Sequence, residues 1–212
     1  MIRHNVEQGS PEWARLRAGI PTASQFNRIV TPGGKPSVQA DEYMRFLLAE
    51  RLIGLPLDSP KTSWMQRGQE MEGEAVCFYE FTREIAVEPI GFVTTDDGKI
   101  GASPDRLIGD DGLLEIKCPS PEVHIGYMLW DRVDDKYKVQ LQGQLYVSER
   151  SWVDICSYHP CLDSVIVRVK RDEEFIEKLA EELETFISYL EVAQTRLQEK
   201  GYTFRKEIIC RS

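Results

Sequence analysis

Residues 102–118 read ASPDRLIGDDGLLEIKC, and the reading of this stretch decides the fold. Two short apolar runs, Arg106-Leu107-Ile108 and Leu113-Leu114-Glu115-Ile116-Lys117, flank Gly109-Asp110-Asp111-Gly112. Gly-Asp and Asp-Gly are turn dipeptides, so the stretch predicts a β-hairpin. Side chains alternate along a strand, which places Glu115 and Lys117 on one face and Leu114 and Ile116 on the other. Asp105 follows Pro104 at the open end of the first strand. Two carboxylates and a lysine can therefore converge at one end of the hairpin. Oxygen donors suit magnesium, and a metal-bound water is a nucleophile at neutral pH. Such chemistry hydrolyses phosphodiesters.

The pattern acid-any-lysine is unspecific by itself. It also occurs at Asp97-Gly98-Lys99 and Asp134-Asp135-Lys136, which read as solvated turns or a helix start. Only Glu115-Ile116-Lys117 lies inside a strand-like apolar run. The plainer reading of Glu115 and Lys117 is an ion pair on a half-exposed strand, since exposed pairs are common and contribute little.

A chain of 212 residues fits one domain with a sizeable core. Its 42% hydrophobic and 29% charged residues are those of a soluble globular protein. No apolar run reaches membrane-spanning length, and the start MIRHNVEQGS has no apolar signal core, which predicts a protein that is not secreted. Five scattered cysteines, Cys77, Cys118, Cys156, Cys161 and Cys210, with no Cys-x-x-Cys, predict reduced thiols and a cytoplasmic location. His4, His124 and His159 do not pair with cysteines at zinc-ligand spacing. The net charge of −9 opposes nucleic-acid binding at first sight. It is unevenly spread: residues 1–70 carry nine Lys/Arg against seven acids, and residues 172–200 nine acids against three bases. Local fields decide more than the total.

Taken in order, Ser10-Pro11-Glu12 caps a short helix carrying Trp13, Leu16 and Arg17, which Gly19 ends. Thr22-Ala23-Ser24 opens a second helix through Phe26 and Ile29, before a Pro/Gly loop over 31–36. Arg17 and Ser24 read either as a surface arginine and a plain cap or as part of a phosphate pocket. Helices are predicted over 41–52 and 63–82, with a loop over 57–63 between them. On the second, Met65, Gly68, Met71, Ala75, Phe78 and Tyr79 form the buried stripe. Glu72 falls beside that stripe, where a carboxylate needs a partner; Arg67 is one candidate and a metal site the other. Residues 85–95 read as a strand and 99–103 lead into the hairpin, suggesting an antiparallel meander. Helices follow over 123–130 and 136–148, the latter carrying Gln140, Gln142 and Gln144. Strands are predicted over 152–158 and 165–169. A long amphipathic helix over 172–198 closes the chain, with Phe175, Leu179, Leu183, Phe186, Leu190, Ala193 and Leu197 as its packing stripe.

Six motifs stand in one order: Glu-Gln-Gly-Ser-Pro-Glu-Trp at 7–13, Leu-Arg-x-Gly-Ile-x-Thr-Ala-Ser at 16–24, Arg-Gly-x-x-x-Glu at 67–72, Ser-Pro-Asp at 103–105, Leu-Glu-Ile-Lys-Cys-Pro at 114–119 and Gln-x-Gln at 140–142. Over residues 5–170 this series resembles the phage lambda-type exonucleases, the YqaJ-like viral recombinase nucleases of the PD-(D/E)xK superfamily. The resemblance implies an α/β, restriction-endonuclease-like fold with an αβββαβ core and a mixed sheet flanked by helices. It implies one nuclease domain over 1–212, with the helices of 10–55 helping to form a DNA-end site and the helix of 172–198 packed on the core. It implies that Asp105, Glu115 and the carbonyl of Ile116 hold magnesium, for which manganese can substitute. Lys117 would position and help deprotonate the attacking water, Glu72 would be the helix glutamate of the site, and Gln142 would assist at the reaction centre. Arg17, Ser24 and Ser103 would hold a 5′-terminal phosphate. Thr22 and Gln140 are neighbours that could serve in place of Ser24 and Gln142. The family further implies a homotrimeric ring on double-stranded DNA ends, digestion of one strand from its 5′ end, and work beside a single-strand annealing protein. The competing readings are a PD-(D/E)xK endonuclease and a non-catalytic DNA-binding relative; intact Asp105, Glu115 and Lys117 speak against the second.

Overall fold

The computed structural model describes residues 1–57, 63–132 and 134–204, with residues 63–69 described by their backbone alone. Most of the loop expected over 57–63, the side chains of Met65 and Arg67, and Cys210 lie outside the described residues.

The chain runs β1 (Ile2–His4), α1 (Pro11–Arg17), a 3-10 helix (Ala23–Arg28), α2 (Ala40–Ile53), α3 (Ser63–Arg83), β2 (Glu88–Pro89), β3 (Phe92–Thr94), β4 (Gly101–Ala102), β5 (Arg106–Ile108), β6 (Gly112–Lys117), α4 (Pro121–Trp130), a one-turn 3-10 helix (Asp135–Tyr137), α5 (Lys138–Ser148), β7 (Trp152–His159), β8 (Leu162–Lys170) and α6 (Glu173–Glu199). The main sheet has the order β2-β5-β6-β7-β8. Only β6 and β7 run parallel, and the chain between them carries α4 and α5. This is the mixed sheet and αβββαβ order of the PD-(D/E)xK fold.

The hairpin forms in the expected register, with Arg106 opposite Leu114, Leu107 opposite Leu113 and Ile108 opposite Gly112. A buried arginine braces its turn from inside: Arg150 Nη1 donates to the carbonyls of Gly109 and Gly112 at 2.8 and 2.6 Å. Alternation divides the β6 side chains between two cores. Leu114 and Ile116 pack with Ala75, Val76 and Tyr79 of α3. Leu113 faces the larger core of α2, α5 and α6, where Leu47, Leu141, Leu145, Leu179, Leu183 and Leu190 are almost wholly buried. Glu115 and Lys117 share the Leu113 face and so turn toward α5.

Two expectations are corrected, and one strand was not foreseen. The segment 85–95 is not one strand. Glu88–Pro89 pairs with β5 in the main sheet, whereas Phe92–Thr94 joins β1 and β4 in a separate three-stranded sheet. Pro89 has no N–H to continue a ladder, and the chain changes sheets at Ile90-Gly91. The N-terminal segment clasps that crossing: Gln8 Nε2 donates to the Ile90 carbonyl at 2.8 Å and Trp13 Nε1 to the Gly91 carbonyl at 3.1 Å. Strand β1 was not foreseen, because three residues at a chain end carry too little pattern to read. The helix expected from Thr22 is a six-residue 3-10 helix, whose Thr22 makes no side-chain cap.

Gly91 is required by close approach rather than by its torsion angles. A Cβ there would meet the carbonyl oxygen of Val6 at 1.9 Å. Gly91→Ala is expected to lower stability by about 1–3 kcal/mol, the usual range for overpacking, read as a fall in Tm.

Candidate active site

Strand β5 begins only at Arg106, opposite Leu114, so the edge of β6 facing it is open at Ile116. Asp105 fills that edge: its Oδ2 accepts the Ile116 N–H at 2.6 Å. A strand residue directs its N–H and C=O to the same side, so the Ile116 carbonyl also opens toward Asp105. Glu115 lies beside them, its side chain only 4% exposed, with Oε1 2.5 Å from Lys117 Nζ. This is not the surface ion pair of the plainer reading, because a buried pair carries a large desolvation cost and needs further support.

That support comes from α5. Gln140 Nε2 donates to Glu115 Oε1 at 2.6 Å and Gln144 Nε2 to Oε2 at 2.7 Å. Residues four apart share a helix face, which explains why this pair reaches Glu115. Gln142, expected at the reaction centre, lies on the other side. It donates to the Lys170 carbonyl at 2.8 Å and accepts the Asp172 N–H at 2.9 Å, joining α5 to the start of α6. The structure thus turns Gln142 away from Glu115 and puts Gln140 there, together with Gln144. The i, i+4 spacing was visible in the sequence; which face met the sheet was not. Tyr137, at the foot of α5, sets its ring 5.2 Å from Lys117 Nζ.

Glu72 reaches this centre through an unforeseen residue. Its Oε1 accepts from Arg106 Nη1 at 2.9 Å, and the same nitrogen donates to the Asp105 carbonyl at 2.6 Å. Arg106 alternates with Leu107 in β5 and had read simply as the first residue of a strand.

The electrostatics follow from crowding. Burial, with Glu115 nearby, raises the Asp105 carboxyl well above its usual range, against the opposing pull of Lys117 and the Ile116 N–H. Burial disfavours the Lys117 ammonium, but Glu115 and Asp105 outweigh it and hold its pKa above the ordinary value. Among the described residues no three His, Cys, Asp or Glu side chains cluster as a metal site. The donor set here is smaller: two carboxylates that repel each other and one backbone carbonyl, all oxygen. It fits magnesium, which binds few protein ligands and keeps several waters.

A second cluster adjoins the first. Arg17 Nη1 donates to Ser103 Oγ at 2.9 Å, and Nη2 approaches Ser24 Oγ at 3.4 Å and Thr22 Oγ1 at 3.5 Å. The guanidinium lies over the Trp13 ring, 4.1 Å from its centroid. Burial pushes the Arg17 pKa down to about 10, so the group remains a cation near neutrality. The arginine and three hydroxyls thus come together as the sequence suggested, with Thr22 beside Ser24 rather than in place of it. Ser103 and Asp105 are separated only by Pro104, whose carbonyl accepts from Gln8 Nε2 at 2.8 Å. The two clusters are therefore held at a short, stiff separation.

Comparison with known proteins agrees with this architecture. The model of the YqaJ-like viral recombinase domain matches residues 12–151. The crystal structure of an alkaline exonuclease, LHK-Exo, from Laribacter hongkongensis is 31% identical, covers 91% of this chain and 98% of its own, and superposes with a TM-score of 0.82. The same enzyme in complex with dAMP matches at 32% identity, with the same coverage and TM-score. A phage-related exonuclease from Haemophilus somnus 129PT shares the fold at 16% identity, covering 85% of this chain and 96% of its own, with a TM-score of 0.63. No curated protein matches the sequence. With its sheet, its Asp105/Glu115/Lys117 centre and a family match over most of its length, the chain belongs to the YqaJ-like viral recombinase family.

Proposed function

We propose that this DNA nuclease is a magnesium-dependent exonuclease that degrades one strand of duplex DNA from a 5′-phosphorylated end, 5′ to 3′. The observation that carries the reading is the Arg17 cluster, fastened through Ser103-Pro104-Asp105 to the acidic centre. A desolvated guanidinium ringed by hydroxyls suits a dianionic phosphate. An enzyme that cuts inside a duplex has no use for such a pocket one step from its carboxylates.

A divalent cation held by Asp105, Glu115 and the Ile116 carbonyl would supply Lewis-acid charge at the scissile phosphate and lower the pKa of a coordinated water. The chain's own groups have distinct tasks. Lys117, kept protonated by its acidic neighbours, donates toward the attacking oxygen and offsets charge that builds at the phosphorane. Gln140 and Gln144 fix the Glu115 carboxylate. Arg106 ties Glu72 to the backbone of Asp105 and holds the open end of the hairpin in place. Arg17, Ser24, Thr22 and Ser103 take the terminal phosphate, which sets the polarity. The remaining strand, with its 3′ end, would pass to a single-strand annealing protein. A homotrimeric ring around DNA, which would make digestion processive, belongs to the same reading and rests on family resemblance.

Linear duplexes with a 5′-phosphate or a 5′-hydroxyl, and a closed circular duplex, are to be incubated with magnesium and with EDTA. The phosphorylated end should disappear fastest, the circle should survive and EDTA should stop digestion; cutting of the circle would make the protein an endonuclease. Arg17→Ala removes charge-assisted hydrogen bonds worth about 1.5–3 kcal/mol, so the preference for 5′-phosphate should fall about tenfold or more, and an unaltered preference removes Arg17 from the pocket. Lys117→Ala should reduce turnover by about 10²–10³-fold while the circular dichroism spectrum stays that of the wild type.

The acidic centre also predicts a linkage of cation to pH. Folding raises the Asp105 pKa, so in the metal-free protein its stabilising contribution is present below the unfolded carboxylate pKa. That contribution is lost as pH rises through the folded value. A cation binds only the deprotonated form. The rise in Tm caused by magnesium should therefore be larger above the raised Asp105 pKa than below it, and Asp105→Asn should abolish it. A pH-independent shift, or one retained in Asp105→Asn, would place the cation elsewhere.

A further inference from the structure

We infer that Gln140 and Gln144 hold Glu115 as a one-oxygen ligand and thereby bias the site toward a small octahedral cation and against calcium. The inference rests on the nuclease reading above and deepens it at the metal. Both glutamines act through Glu115 and are positioning residues.

An ionised carboxylate offers four lone pairs. Oε1 of Glu115 accepts from Lys117 Nζ at 2.5 Å and from Gln140 Nε2 at 2.6 Å, which uses both of its pairs. Oε2 accepts from Gln144 Nε2 at 2.7 Å and keeps one. Chelation through both oxygens is closed, and a cation can take Oε2 alone. Magnesium accepts that arrangement, because it demands octahedral geometry and retains waters. Calcium takes six to eight oxygens and draws on bidentate carboxylates to reach that number. A Glu115 limited to one oxygen withholds one of them.

An independent mark identifies Gln144 as held for this task. Its residue is 1% exposed, yet its Oε1 is buried without a hydrogen-bond partner among the described residues. A carboxylate only accepts, so the amide must present nitrogen to Glu115, and its oxygen is left facing the core. A leucine or methionine would fill the same volume with no orphaned atom, so packing alone does not explain the glutamine. The clamp is also set on a fixed support. Helix α5 lies so close to the 3-10 helix at Ala23–Arg28 that a Cβ on Gly143 would stand 2.5 Å from the Phe26 ring.

The test measures apparent affinities for magnesium and calcium from thermal-shift titrations of the full chain without DNA. Wild type, Gln144→Met and Gln140→Met are compared, with Asp105→Asn as control. Loss of a residue that orients a ligand weakens metal binding by about tenfold or more. In Gln140→Met, which frees a lone pair on Oε1, the expected result is that loss for magnesium with calcium binding kept or strengthened, so that the ratio of the two affinities falls about tenfold; Gln144→Met leaves Oε1 filled and should weaken both cations together. A structural role alone would weaken both cations together in Gln140→Met as well, so an unchanged ratio in that variant overturns the inference. Gln140 is half-buried, so its methionine variant tests the ratio whether or not Gln144→Met folds. If neither cation shifts the wild type and Asp105→Asn behaves as wild type, the metal reading itself falls, and this inference with it. If Asp105→Asn loses both cations while Gln140→Met keeps the wild-type ratio, only the clamp is overturned.

Discussion

The hydrogen bond from the Ile116 N–H to Asp105 Oδ2 exists because β5 begins only at Arg106, opposite Leu114, while β6 runs on to Lys117. A strand edge buried without a partner would leave backbone groups unsatisfied, which is strongly disfavoured. The Asp105 side chain supplies the missing acceptor. In doing so it is fixed beside the Ile116 carbonyl and within electrostatic reach of Glu115. The other side chains of the centre are arranged around that bond. Arg106 holds the backbone carbonyl of Asp105, Glu72 holds Arg106, and the paired glutamines hold Glu115.

Two carboxylates brought together in a buried place repel each other. The protein contains that repulsion by three means: a raised Asp105 pKa, a protonated lysine, and amide donors on both oxygens of Glu115. A hydrophobic pair of similar size would be as stable or more so. The arrangement is therefore better explained by a cation that the acids are kept ready for than by stability.

The N-terminal segment binds the rest of the site together. Gln8 donates to both Ile90 and Pro104, and Trp13 to both Gly91 and Ser103. These contacts join the point where the chain changes sheets to the turn that leads into Asp105. Arg17 follows Trp13 by one helical turn, so its guanidinium comes to lie over the Trp13 ring and against Ser103. One short helix thus sets the distance between the Arg17 cluster and the acidic centre. Movement of Gly91, as in the alanine substitution, would be felt at both.

The local pattern of the chain was enough for the hairpin, its register, the long helices and the convergence of Asp105, Glu115 and Lys117. Those features depend on periodicity and turn chemistry over a few neighbouring residues, which a sequence displays directly. The joint presence of Arg17, Ser24 and Ser103 in one cluster was legible through the order of motifs, not through spacing. Tertiary structure alone decided the rest. The break of 85–95 into two sheets depends on Val6, far away along the chain, approaching Gly91. The pairing of Glu72 with Arg106, on a strand far from it in the sequence, is another such contact. The choice of Gln140 and Gln144 over Gln142 turned on which face of α5 met the sheet. All three glutamines are chemically alike, and only the packing of Leu141, Leu145 and Gly143 against the core and the 3-10 helix sets the rotation of that helix.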